Sequence, residues 1–186
     1  STTSPTCGDT LWFNGMTMFS LAAFGCGHAN ACARLYELLL PYAERYVMVP
    51  PSVGSRGPVT FALAALALGL GRVAEAPRHA EAAIEAARRM RDIPYQLYAQ
   101  ALHAVCLALD RNQLARAREL LDLSDSACRQ RGIAPLSERV WWQPRLSELA
   151  ASRGTVGAMD AFLGQGSEGR SPRGATIITW RKSAVI

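Results

Sequence analysis

Apolar residues recur every three or four positions along most of this chain, with polar residues between them. That period belongs to an amphipathic helix and not to a strand. The first run covers residues 11–24, where Asp9 or Thr10 is placed to cap it. Gly25, Gly27 and Asn30 then interrupt it, and a second helical face follows with Cys32, Leu35, Tyr36, Leu39, Leu40 and Ala43. Residues 47–58 contain three prolines, two glycines and two serines, so they are expected to be a loop. Further helices are expected over 59–70, 74–90, 95–109 and 114–131, turned at Gly71 and at residues 110–113. Pro77 is compatible with the fourth helix only in its first turn. Beyond Gly132 the periods predict a helix over 136–152, holding Trp141 and Trp142 and interrupted by Pro144, and a short one over 156–163. Residues 175–180 have β-branched character and no assigned place.

Aligned on their turns, the hairpins repeat. In the second, Leu63, Ala64, Gly71, Ala76, Ala80 and Ala83 share their offsets with Phe19, Ser20, Gly27, Cys32, Tyr36 and Leu39 in the first. Ala104, Val105, Asn112, Ala117, Leu121 and Ser124 match them in the third. The spacing, roughly forty residues, exceeds the thirty-four of a tetratricopeptide unit, but the residue types resemble one. Small residues let paired helices approach closely, and larger ones fill the gap to the next hairpin. The expected fold is therefore all-α, a tetratricopeptide-like stack of antiparallel helical hairpins forming an α-α superhelix. Residues 1–9 are read as a flexible arm, 10–133 as three hairpins, 134–163 as capping helices and 164–186 as a flexible, irregular tail.

Three segments add a family resemblance: LYELLLPYAERYVMV at 35–49, ALGLGRVAEAPRHAEAAIEAARRM at 67–90 and LARARELLDLSDSACRQRGI at 114–133. They look like the carboxy-terminal helical region of LuxR-type, MalT-like ATP-binding transcriptional regulators and related adenylate-cyclase-like ATPases. The resemblance implies a sensor or interaction arm for signal transduction, receiving a protein partner or a small-molecule effector. The partner could be the ATPase domain of the same full-length protein. A freestanding repeat adaptor is the alternative, and an all-α enzyme with a site in its concave groove a further one. The sequence contains no GxxxxGK[ST] phosphate loop and no convincing DNA-recognition helix. Pro77 departs from the family, where an acidic or polar residue is more usual.

Composition adjusts this picture only slightly. The net charge of +5 comes from 19 arginines and one lysine, and Arg88, Arg89 and Arg91 are interleaved with Glu81, Glu85 and Asp92 as on a solvated helix face. Nucleic-acid binding is not expected of this domain. Five cysteines without a CxxC pair suit reduced thiols in the cytoplasm. The apolar stretch 59–70 is too short to cross a bilayer.

Candidate chemistry is sparse. Cys26, His28 and Cys32 offer thiolate and imidazole donors, but not the paired spacing of a structural zinc site. Glu75 with His79, and His103 with Cys106, are helical pairs lacking a visible third member. Neither catalysis, a metal nor a cofactor is expected. Trp12, Phe13, Trp141 and Trp142 can stack on a planar ligand or an aromatic partner, or simply pack. A ligand or partner groove is expected along the first helix of each hairpin, lined by Asn14, Thr17, Thr60, Gln96, Gln100 and His103. That lining is neutral and polar, while Arg34, Arg78, Arg88, Arg116 and Arg118 lie on second helices, facing outward.

Overall fold

A computed structural model describes residues 7–49 and 54–136, and the periodic runs within them are helices. Six α-helices occur there: α1 (Cys7–Gly25), α2 (Ala29–Leu39), α3 (Val59–Gly69), α4 (Ala76–Arg89), α5 (Ile93–Ala108) and α6 (Leu114–Gln130). Because α1 already begins at Cys7, Asp9 and Thr10 lie inside it instead of capping it, and the expected arm over 1–9 loses its last three residues to helix. The capping helices and tail expected beyond residue 136, with Trp141, Trp142 and Pro144, lie outside the described residues.

Proline sets several of these boundaries. Pro77 and Pro94 sit in the first turns of α4 and α5, where the missing N–H has no helical partner to lose. Pro41 ends α2 at Leu39, four residues before the expected end at Ala43. Its ring would strike the carbonyl one turn back, and the chain tightens into a 3-10 turn over Leu40–Tyr42.

Each helix packs on the next, and α3 also touches α1 and α5, so the first helices of successive hairpins adjoin. The repeat appears in burial as well as in sequence. Cys32, Tyr36 and Leu39 of α2, Ala76, Ala80 and Ala83 of α4, and Ala117, Leu121 and Ser124 of α6 are all buried. Ser124 settles its hydroxyl by donating to the Leu97 carbonyl of α5 at 2.8 Å. At the turns, Gly27 and Gly71 adopt φ 68° and 71°, a region closed to most side chains. Asn112 holds the same place in the repeat but not the same conformation. There the Asp110 carboxylate accepts from the Asn112 N–H at 3.0 Å and the chain makes a 3-10 turn over Arg111–Gln113.

One expectation fails outright. The segment read as a loop over 47–58 holds an antiparallel pair of strands, β1 (Tyr46–Val49) and β2 (Gly54–Pro58). Tyr46, Val47 and Val49 favour extended backbone, but Gly54, Gly57 and Pro58 do not, and the pair is held from outside. Tyr46 Oη donates to Asp92 Oδ2 at 2.8 Å, and the Ser55 hydroxyl donates to the same oxygen. Asp92 Oδ1 meanwhile accepts from the Tyr95 N–H at 3.2 Å, capping α5. Burial first, and then the bond to Asp92, push the Tyr46 hydroxyl's pKa well above its ordinary value.

Candidate functional site

Two arrangements combine chemistry with access. The first lies where α1, β2, α3 and α5 meet. Tyr46 faces Pro58 and Val47 faces Gly57, but Met48 faces Ser55, so Arg56 is the extra residue of a β-bulge. Bulges re-aim side chains. Here Arg56 joins Thr17, Met18 and Leu21 of α1, Phe61 of α3 and Tyr95 of α5 around a shallow depression. Its Nε donates to Asn14 Oδ1 at 2.9 Å, which fixes the guanidinium against α1. No carboxylate pairs with Arg56 among the described residues. The Tyr95 ring stands edge-on to Phe61 at 5.6 Å and to Tyr98 at 5.8 Å, giving the depression an aromatic wall.

The residues expected to line a groove are divided by the structure. Asn14 and Thr17 belong to this depression, Asn14 by its bond to Arg56 and Thr17 as part of the wall. Thr17 is nevertheless buried, and its hydroxyl donates to the Phe13 carbonyl at 2.9 Å within its own helix. Thr60 is buried too, with no hydrogen-bond partner for its hydroxyl among the described residues. His103 is buried apart from this set and faces Glu81 at 3.4 Å. Gln96 and Gln100 are half-buried on α5. Arg56 itself escaped the sequence reading, since its place depends on a bulge in a segment expected to be a loop.

The second arrangement supplies the third member that Glu75 and His79 lacked. Tyr36, from the preceding hairpin, places its hydroxyl 2.8 Å from Glu75 Oε2 and 2.8 Å from His79 Nε2. Arg72 stacks on the Tyr36 ring at 4.7 Å and reaches Glu75 at 3.4 Å. Burial and then the Glu75 bond raise the Tyr36 pKa, while the Tyr36 bond chiefly lowers that of Glu75. Burial lowers the pKa of His79 against the pull of Glu75. A phenol held protonated and a carboxylate held ionised make a donor–acceptor clasp between hairpins, not an activated nucleophile.

His28 caps α2, its Nδ1 accepting from the Ala31 N–H at 3.2 Å. Cys26 is exposed and Cys32 buried. Burial pushes the Cys106 thiol far up, so it stays protonated and a poor nucleophile. Trp12 and Phe13 pack edge-on with Tyr42, at 5.8 and 5.1 Å respectively. Of the arginines expected to face outward, Arg34, Arg78, Arg88 and Arg116 are exposed, and Arg88 makes a two-pronged pair with Glu85 at 2.9 and 3.0 Å. Arg118, half-buried, lies 4.0 Å from Asp122. No described helix is long and apolar enough to cross a membrane.

No family model, no curated protein and no solved structure matches this chain.

Proposed function

We propose that this chain is a non-catalytic, tetratricopeptide-like interaction module that receives a peptide segment of a protein partner across its first helices. The observation that carries this reading is Arg56. A bulge aims it into a depression walled by Met18, Leu21, Phe61 and Tyr95, Asn14 holds it there, and no acid neutralises it among the described residues. An apolar floor with one uncompensated guanidinium suits an apolar peptide carrying a carboxylate, since arginine engages carboxylates through paired N–H donors. The shared offsets of the three hairpins and the packing of α3 against both α1 and α5 support a superhelical stack.

The resemblance of residues 35–49, 67–90 and 114–133 to LuxR-type, MalT-like regulators supports a cytoplasmic setting for such a module. There it would relay partner or effector binding to an ATPase domain in transcription regulation. Duplex DNA is a poor candidate for the binding face, because affinity for phosphates needs several lysines or arginines together. Several outward arginines are already engaged by glutamate or aspartate on their own helices.

The test is an array of immobilised decapeptides probed with the labelled protein. Bound sequences should be enriched in a carboxylate beside apolar residues, and Arg56→Ala should abolish that enrichment while leaving the circular dichroism unchanged. Binding that favours basic peptides, or that survives Arg56→Ala, would count against the reading. So would tight, steeply salt-dependent binding of duplex DNA.

A further inference from the structure

The bond between Arg56 and Asn14 decides which end of the guanidinium is left for a ligand. Arg56 Nε donates to Asn14 Oδ1 at 2.9 Å, so the side of the fork that includes Nε is taken. Nη1 and Nη2 remain, side by side, with no protein partner among the described residues. Two parallel N–H donors at that end match the two oxygens of one carboxylate. Asp92, bonded to the adjacent Ser55, does not compete for them, because it already accepts from Tyr46 and from the Tyr95 N–H as well. The Thr17 hydroxyl adds no donor, since its proton goes to a carbonyl of its own helix.

The size of the depression limits what can bring that carboxylate. It holds about 280 Å³ of empty space, its open mouth included, less than the roughly 300–1,000 Å³ of pockets that enclose a whole small-molecule ligand. That is room for one residue. Its single floor joins Arg56 to the apolar side chains of Leu21, Phe61 and Tyr95, so the residue that fills it needs a carboxylate and an apolar group together. Inside an extended peptide, neighbouring side chains point to opposite faces, and the next one on the same face lies about 7 Å further on. An internal acid and an apolar neighbour therefore cannot both enter. The last residue of a chain differs, because its carboxylate and its side chain leave the same Cα.

We propose that the depression takes the carboxyl-terminal residue of a partner chain, its terminal carboxylate paired with Nη1 and Nη2 of Arg56 and its apolar side chain against Leu21, Phe61 and Tyr95. This rests on the peptide-binding reading and narrows it to chain ends.

Fluorescence anisotropy with hexapeptides labelled at the amino terminus tests it. Three pools are titrated with the protein: peptides ending in Leu, Ile, Val, Met or Phe with a free carboxylate, the same peptides as terminal amides, and amides in which Glu or Asp precedes the apolar residue. The free acids should bind about tenfold or more tightly than either amide pool, the scale of a hydrogen-bonded charge. Asn14→Asp should abolish that preference with helical circular dichroism unchanged, because an acid of the same chain then pairs with Arg56. Arg56→Ala should abolish it by removing the fork. If amides with an internal acid bind as tightly as the free acids and still need Arg56, this proposal fails and the peptide reading stands. If no pool binds in a way that Arg56→Ala weakens, both fail. A terminal preference that survives Asn14→Asp also overturns the proposal.

Discussion

A Cβ placed on Gly57 would stand 2.1 Å from a ring carbon of Tyr95, at a backbone φ of +79°. The strand can cross this ring only because position 57 has no side chain. Gly57→Ala therefore combines an unfavourable backbone, about 1–2 kcal/mol, with overpacking of about 1–3 kcal/mol. The expected loss is about 2–5 kcal/mol, measured as a lower urea midpoint at constant slope. A loss below about 0.5 kcal/mol, the range of an ordinary surface substitution, would mean that the strand does not lie on Tyr95.

Ala83 tests the seam of α4. It is fully buried, as are Ala76, Ala80 and Ala87 along the same face. Ala83→Leu adds volume where neighbouring helices approach closely, at a cost of about 1–3 kcal/mol. An unchanged melting temperature would contradict this packing.

Acid should weaken the fold from near neutrality downward. Burial lowers the pKa of both His79 and His103 below the ordinary 6.5. Glu75 opposes the shift at His79; at His103, Glu81 opposes it and Arg116 reinforces it. Each imidazole is more easily protonated unfolded than folded. The associated stability is complete above 6.5 and is lost as the pH falls through that value toward the lower folded pKa. Denaturant midpoints measured from pH 8 to pH 5 should decline, and the His79→Gln, His103→Gln double variant should flatten the decline. A profile that rises toward pH 5 would reverse the sign of both shifts. Below the ordinary carboxyl value of 4.5, protonation of Glu75 adds a further loss, because its folded pKa is also depressed.

The helices and their repeat could be read from sequence wherever a local rule governs them. Gly27 and Gly71 mark left-handed turns, Pro77 marks a first turn, and the offsets of Ala76, Ala80 and Ala83 mark a buried face. Placing Thr17, Thr60 and His103 in a groove rests on the premise that polar residues of a helix lie off its core. That premise weakens in α3, which is buried along its whole length and so has no polar face for periodicity to reveal. The candidate site was hidden for a related reason. Arg56 and Tyr36 acquire their roles from Asn14, 42 positions away, and from Glu75 and His79, 39 and 43 positions away. No short window of sequence contains those pairings.

Asp92 ties the sheet to the third hairpin more tightly than its position suggests. One carboxylate accepts a bond from each strand and caps the helix that follows. Opening the strands removes two of its partners, and fraying the start of α5 removes the third. The connector between the first two hairpins and the start of the third should therefore exchange their amide hydrogens as one cooperative unit, although Pro58 and Asp92 stand 34 positions apart in the sequence.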